Sequence, residues 1–296
     1  MKAYPQVDRL LDQSEKMQCC AHSTNSLIQK GLYRRYLAGD LAKPYPGLYS
    51  RHEYWNRLNG AEQSLHMART LKGMHPDWVF AGLTAAAAYG FEHQWFLHHE
   101  ITITLSTHGS YRPHDKLHVI YSPYPKHDAT IASGIPVTNK ARTLVDCGNT
   151  QEFRGALPVF DSAAAGGLDE AALMKECSLI TQDCSKIIKL LRYTNAASDN
   201  GGESFARGTM IEAGFAEPRL QVVIVDPATG QQYRVDFLWR TDDGRSIVCE
   251  FDGTAKYVDP EMTSNRSIQE TVQLERNREQ GLRRAGVTDI IRLTFN

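Results

Sequence analysis

The chain has 296 residues, 42% of them hydrophobic and 23% charged, and a formal net charge of −1 at pH 7. This is the composition of an ordinary globular protein with room for about two or three domains, and it excludes nucleic-acid binding through overall charge. A nucleic-acid partner must therefore be met by a local basic patch. The first residues lack the apolar core of a signal peptide, and no run of about 18 apolar residues occurs. We therefore predict a cytoplasmic protein with no membrane partner.

The cysteines indicate neither a disulfide framework nor a zinc site. No Cys-x-x-Cys pair occurs, and no histidine lies at zinc spacing. We expect reduced, mostly packed thiols. They are Cys19, Cys20, Cys147, Cys177, Cys184 and Cys249.

Residues 1–60 are mildly basic, with nine Lys or Arg against five acids. Their pattern predicts three short helices and a small β wing, the outline of a winged helix-turn-helix whose recognition helix enters the major groove. The alternative is a small helical cap whose arginines are solvated. The predicted elements are a helix at Leu10 and Leu11, a second from Ser23 to Lys30 with Ser23 as N-cap, a third after Gly31 through Leu37, and a wing at 41–49. The candidate DNA contacts are Tyr33, Arg34, Arg35 and Lys43.

The run Gly31-Leu32-Tyr33-Arg34-Arg35 through Gly47-Leu48-Tyr49 resembles the N-terminal winged helix of the AbiEi family of abortive-infection antitoxins and regulators. Further runs resemble that family's middle domain. They are Ala81 to Gly90, Ile101 to Thr104, Gly134 to Thr138 and Ala141 to Asp146. The resemblance implies DNA binding and, in paired members of the family, control of an operon that also encodes a nucleotidyltransferase toxin.

From the residues alone, positions 61 to about 165 indicate a small α+β unit, and with the helices that follow it we predict a middle domain with a helical linker at 61–195. The predicted elements are a closely packed helix at Ala85–Ala88 and strands at Ile101–Leu105 and Leu117–Tyr121. Further helices are predicted to begin near Thr143 and at Asp169–Glu170, and a last one extends from about Ser185 to Tyr193. Arg142 and Asp146 are spaced for a structural ion pair. The small, polar run from Asn195 to Gly202 is the predicted linker to a last domain at 201–296.

The most informative stretch runs from Gln232 to Lys256 and reads as a β-hairpin with Asp242-Asp243-Gly244 at its turn. A three-residue loop would place Asp236 directly opposite Glu250, with Asp252 further along the same face. Carboxylates at that spacing repel each other unless a cation lies between them, and they suit Mg²⁺ or Mn²⁺. The alternative is an edge hairpin with one solvated polar face.

Three runs in this region resemble the nuclease domain related to very-short-patch-repair (Vsr) endonucleases, a member of the PD-(D/E)XK or restriction-endonuclease-like superfamily. They are Val235-Asp236-Phe237, Val248 to Gly253 with Lys256-Tyr257, and Glu275 to Glu279 with Leu282 ahead of Gly286. The resemblance implies Asp236 and Glu250 as metal ligands and Glu203 as an assisting helix acid. Asp252 stands where the superfamily usually has Lys, so Lys256 or Arg276 would supply the positive charge.

The last predicted helix, 267–285, is rich in both arginine and glutamate. Its arginines, Arg276 and Arg278 among them, would track a DNA backbone or else form a solvated face balanced by Glu270, Glu275 and Glu279. For Glu203 the alternative to a site role is a surface ion pair with Arg207.

Two functions follow for an α+β multidomain chain of this kind. The first is a protein that binds double-stranded DNA and cuts it with Mg²⁺ or Mn²⁺, using Glu203, Asp236, Glu250, Asp252 and Lys256. The second is a non-enzymatic transcriptional regulator or antitoxin, in which the last domain serves homodimer formation or binding of a nucleotidyltransferase toxin.

Overall fold

The structure is a computed structural model and describes residues 5–106, 115–122, 126, 128–180, 182–251 and 268–294. Its mixture of helices and several sheets confirms the predicted α+β class. The chain divides into two compact units. The first comprises Met1–Glu152 and Asp169–Lys189, and the second comprises Phe153–Leu168 and Leu190–Asn296. The chain therefore passes between the units three times.

The elements before the first passage between units are α1 (Pro5–Lys16), α2 (Ser26–Leu37), β1 (Leu41–Tyr45), β2 (Leu48–Arg51), α3 (His52–Trp55), α4 (Gly60–Met74), β3 (Val79–Phe80), α5 (Gly82–Tyr89), β4 (Ile101–Leu105), β5 (Leu117–Tyr121), β6 (Thr130–Ala132), β7 (Ile135–Val137) and α6 (Lys140–Thr150). The later elements are α7 (Phe153–Ala165), α8 (Glu170–Leu179), α9 (Ser185–Tyr193), α10 (Gly201–Glu212), β8 (Arg219–Val225), β9 (Gln232–Arg240), β10 (Ser246–Phe251), α11 (Ile268–Arg284) and β11 (Asp289–Leu293).

The second and third helices predicted near the N-terminus are a single helix, α2, so the prediction of two helices separated by Gly31 is wrong. The N-cap is Asn25 rather than Ser23, because Asn25 Oδ1 accepts hydrogen bonds from the backbone N–H of Leu27 at 2.9 Å and of Ile28 at 3.3 Å. Gly31 lies buried inside α2. A glycine there costs about 1 kcal/mol in helix propensity, which a packed helix tolerates. Strands β1 and β2 pair antiparallel where the wing is predicted.

The first unit contains a five-stranded sheet in the order β5-β4-β3-β7-β6. Strands β4 and β5 have the predicted bounds and pair in parallel. The alanine-rich helix α5 is buried from Gly82 to Ala88. Arg142 Nε lies 2.7 Å from Asp146 Oδ1, which confirms the predicted ion pair. Burial raises the pKa of Asp146 to about 6, and the opposing effect of Arg142 is smaller.

The second unit contains a four-stranded sheet in the order β11-β10-β9-β8, with β10 parallel to β11 and antiparallel to β9. Helix α7 packs against α10, where Gly208 comes so close that a Cβ on it would lie 2.8 Å from Arg154 Cα. An ion pair between Arg207 Nη2 and Asp161 Oδ2, 2.7 Å long, joins these helices with both side chains almost fully buried. The close approach at Gly208 and the ion pair between Arg207 and Asp161 together hold α7 against α10.

The thiols agree with the prediction of reduced, packed cysteines. All six are free, and the buried ones are Cys20, Cys147, Cys177 and Cys249. Burial raises the pKa of Cys177 and of Cys249 to about 12. None of the described helices is both long enough and apolar enough to cross a membrane.

Candidate functional site

The β9–β10 hairpin lies at the centre of the sheet of the second unit. Thr241 N–H donates to Arg245 O at 3.0 Å across a loop of three residues, and Gly244 occupies its left-handed position with a φ of 82°. Ser246 to Cys249 pair with Arg240 to Phe237, which is the register in which the sequence predicts Asp236 opposite Glu250. The predicted register is thereby confirmed. The edge-hairpin alternative is wrong, because β8 and β11 flank the two strands.

The two faces of this hairpin are both covered by apolar packing. Leu238 and Val248 pack with Leu282 of α11, whereas Phe237 and Cys249 pack with residues of α10. Alternation along a strand predicts that Tyr233, Val235, Phe237 and Trp239 share one face of β9, but this stripe breaks at Asp236. Tyr233 and Val235 join the cluster on the α11 side, whereas Phe237 and Trp239 join the other. Asp236 therefore lies where β9 changes its packing face.

Glu203 lies in the first turn of α10 and is buried, with 6% of its surface exposed. Its Oε1 accepts a hydrogen bond from Asn200 Nδ2 at 2.7 Å, and its Oε2 accepts one from Gln221 Nε2 at 2.8 Å. Burial raises its pKa, and the Asp236 carboxylate raises it further. The alternative of a surface pair with Arg207 is wrong, since Arg207 is buried against Asp161.

Gln221 joins two of the carboxylates, although no motif in the sequence marks it as a site residue. Its Nε2 donates to Glu203 Oε2 at 2.8 Å and, more weakly, to Asp236 Oδ1 at 3.4 Å. Its Oε1 is buried and has no hydrogen-bond donor. Its φ is 51°, a backbone conformation that costs a residue with a side chain about 1–3 kcal/mol. A polar residue inside the apolar strand Arg219–Val225 is the signal that could have identified it.

Asp236 uses its side chain to continue the pairing of β9 with β10. Its Oδ2 accepts a hydrogen bond from the backbone N–H of Phe251 at 2.9 Å. Asp236 is thus held by a donor from β10 on one oxygen and faces Gln221 of β8 with the other. We call Glu203, Asp236 and Glu250 the carboxylate cluster.

Glu250, the third member of the carboxylate cluster, is bound by Arg278 of α11. Arg278 Nε donates to Glu250 Oε1 at 3.0 Å, and Arg278 Nη2 donates to the same oxygen. The guanidinium also donates to the carbonyl of Arg234 and lies 5.7 Å from the centre of the Tyr233 ring. Arg278, predicted to contact DNA, is therefore engaged with a predicted metal ligand.

The other predicted residues of the last domain fall into two groups. Asp252 and Lys256 lie outside the described residues. Arg276 lines an open surface groove on α11 together with Glu279 and Gln280. Nearby, Arg283 pairs with Glu279 at 3.9 Å and Arg284 pairs with Asp226 at 2.6 Å. The arginines of α11 are thus partly balanced by acids.

The predicted DNA contacts near the N-terminus also differ among themselves. Tyr33 and Arg34 are exposed on α2. The ammonium of Lys43 lies 5.9 Å from the centre of the Tyr33 ring and 5.8 Å from that of Tyr36. Arg35 instead binds Asp8 and Asp40, each at 2.5 Å, with 12% of its side chain exposed. Arg35 therefore serves the fold of this segment.

A divalent cation suits the carboxylate cluster by donor type. Carboxylate oxygens are the hard ligands that Mg²⁺ and Mn²⁺ prefer. The cluster is not a finished cage, since no three His, Cys, Asp or Glu side chains in the described ranges are placed to hold a metal ion together. Glu203 accepts a hydrogen bond from the neutral Gln221 amide, and Glu250 is paired with the positively charged Arg278 guanidinium.

Replacing Gln221 separates the role of its side chain from that of its backbone. Gln221→Ala and Gln221→Gly both remove the amide bridge, which we expect to lower the free energy of unfolding of the second unit by about 1–3 kcal/mol. The glycine variant should be about 1 kcal/mol more stable than the alanine variant, because glycine adopts a positive φ without strain. Urea denaturation measures both, with Gln231→Ala in the exposed turn as control. Equal stability of the two variants would contradict the role of the backbone.

Comparison with known proteins assigns no family: no family model matches this chain, and no curated protein matches it.

Proposed function

We propose that this chain is a DNA-binding protein whose second unit is a metal-dependent DNA endonuclease. One observation carries the proposal: Gln221 of β8 joins Glu203 of α10 to Asp236 of β9, next to the pair of Phe237 with Cys249, which precedes Glu250 on β10. Burying like charges together is costly unless a cation, a proton or hydrogen-bond donors compensate them. Hydrogen-bond donors meet each carboxylate in the structure, and a bound cation would take over part of this role.

In this proposal Asp236 and Glu250 would hold the cation. When bound, Mg²⁺ or Mn²⁺ activates water and neutralises charge on a phosphoryl group. Glu203 assists, and Gln221 holds Glu203 close to Asp236 through its amide. Asp252 and Lys256 remain in the proposal as an assisting acid and as the cation that stabilises the developing negative charge. The fold proposed for this unit is the Vsr-like, restriction-endonuclease-like one.

For the first unit we propose an AbiEi-like arrangement, with a winged helix within residues 1–60. Helix α2 presents Lys30, Tyr33 and Arg34 at its exposed surface, and Lys43 on β1 extends that surface across the aromatic rings. Tyrosine hydroxyls, lysine and arginine are ordinary partners of DNA phosphates. The segment thus offers a local basic patch on a chain with no net positive charge.

Lys43 tests the assignment of this surface. Lys43→Ala is expected to weaken binding of duplex DNA uniformly across sequences and to reduce the slope of log K against log salt by about 1, because one phosphate contact is lost. Fluorescence anisotropy at several salt concentrations measures the slope. Lys126→Ala, which removes an exposed lysine paired with Asp77, is the matched control. An unchanged slope would place DNA on another surface.

A second candidate is a non-enzymatic regulator or antitoxin, and the ion pair between Arg278 and Glu250 favours it. An ion pair with Arg278 would keep the buried Glu250 carboxylate stable in a protein that has lost nuclease activity. In this case the second unit would bind a nucleotidyltransferase toxin or a second copy of the chain.

Incubation of the full-length protein with supercoiled plasmid in Mg²⁺ or Mn²⁺ distinguishes the two. The nuclease proposal expects nicking that EDTA abolishes and that Glu250→Ala loses. A protein that shifts DNA in a gel but cuts none under any metal condition would support the regulator.

A further inference from the structure

We propose that Arg278 is a latch: it covers Glu250 while the protein is free of DNA and moves to a DNA phosphate when DNA binds, so that DNA and the divalent cation bind cooperatively. This inference rests on the proposed nuclease function. It concerns how the site is regulated rather than which residues form it.

The contacts of Arg278 neutralise the residue that the cation needs. Both of its bonds to Glu250 end on Oε1, one from Nε at 3.0 Å and one from Nη2. Only 11% of the Glu250 side chain is exposed. A guanidinium at this position repels an incoming divalent cation and occupies a ligand oxygen. The cation can therefore use Glu250 fully only after Arg278 has left.

Arg278 is also suited to leave. Its side chain is 27% exposed, so it has access to solvent. A DNA phosphate offers a guanidinium the same paired, charge-assisted hydrogen bonds as a carboxylate does. The exchange keeps the charge-assisted hydrogen bonds of Arg278, gives up its bond to the Arg234 carbonyl and its contact with the Tyr233 ring, and leaves Glu250 available to the cation. Because coupling is reciprocal, bound cation should in turn favour bound DNA.

The test measures binding of Mn²⁺ to the protein. The electron paramagnetic resonance signal of unbound Mn²⁺ decreases as the ion binds. Titrations are made without DNA and with a short phosphorothioate-linked duplex that resists cleavage. For the wild-type protein we expect the duplex to raise the affinity for Mn²⁺ at least about fivefold, the lower end of ordinary coupling. Arg278→Gln should bind Mn²⁺ at least about fivefold more tightly than wild type without DNA, and the duplex should add little.

A matched control removes a positive charge beside Glu250 and leaves the ion pair between Glu250 and Arg278 in place. Arg292 pairs with Glu250 in the parallel register of β10 and β11, but its guanidinium binds Glu275. Arg292→Gln should retain the coupling to DNA. Arg278→Lys, which keeps a cation and most of the packing, should show weakened coupling and serves if the glutamine variant does not fold.

The outcomes separate the latch from the function on which it rests. If Glu250→Ala weakens Mn²⁺ binding but Arg278→Gln and Arg278→Lys bind it as wild type does, the latch is wrong and the metal site stands. If neither wild type nor the Arg278 variants bind Mn²⁺ with or without DNA, the latch and the nuclease proposal both fail.

Discussion

Asp236→Asn is expected to reduce metal-dependent nicking by at least about 100-fold while leaving DNA affinity unchanged. The substitution keeps the shape of the side chain but removes the charge that a divalent cation needs. The amide can still accept from the backbone N–H of Phe251, so the pairing of β9 with β10 persists. Plasmid nicking and a gel shift on the same preparation measure the two effects separately.

The matched control is Asp243→Asn, which removes an exposed carboxylate from the turn of the same hairpin. It should cut and bind DNA as the wild type does. Nicking that survives Asp236→Asn at its original rate would show that the activity comes from another site or from a contaminating nuclease.

The largest expected loss of stability comes from Arg207→Met. Arg207 is fully buried, donates to both oxygens of Asp161 at 2.8 and 2.7 Å, and donates to Tyr193 O at 2.6 Å. Its removal leaves the Asp161 carboxylate buried without a charged partner, which costs about 3–5 kcal/mol. Urea denaturation followed by circular dichroism measures the loss.

The burial of Asp161 also determines how the stability of the Arg207→Met variant changes with pH. Burial raises the pKa of Asp161 in spite of Arg207, and without the guanidinium the pKa should rise further. The native state of the variant then binds a proton that the unfolded chain releases, so its stability falls as pH rises. The loss in Arg207→Met should therefore be larger at pH 8 than at pH 5.

Two further variants test the cause of the loss. Arg245→Met removes an exposed arginine paired with Asp243 at 2.9 Å and should cost no more than about 1 kcal/mol. The double variant Asp161→Leu with Arg207→Met removes both buried charges and should recover much of the stability. If the double variant is no more stable than the single one, packing rather than charge accounts for the effect.

Local patterns were sufficient to predict several parts of the chain. The alternation along the two arms and the Asp-Asp-Gly turn fix the hairpin register, because a shift by one residue would turn every side chain to the opposite face. Helix α9 is found from Ser185 to Tyr193, as its apolar period predicts. Asp169 caps α8 through the backbone N–H of Ala172 at 2.9 Å, which fits the acidic start predicted there.

Local patterns could not predict contacts between residues that are far apart in the sequence. Arg278 reaches Glu250 because α11 covers one face of the sheet, and nothing near either residue in the sequence specifies this pairing. The same holds for Arg207 and Asp161, whose local alternatives are an exposed helix pair and a solvated acid. Gln221 has an unusual backbone conformation that its residue type does not favour. Tertiary packing, rather than local preference, decides all three.

The passage of the chain between the units has a consequence for its synthesis. Helix α7 precedes its partner α10 in the chain, and residues 169–189, which belong to the first unit, lie between them. Helix α7 therefore emerges from the ribosome well before α10. At roughly 5–20 residues per second, α7 remains without that partner for several seconds. Leu157, Val159 and Phe160, buried in the finished protein, are without it during this interval. Dividing the gene at 195–200 would make the separation of α7 from α10 permanent and leave both fragments prone to aggregation.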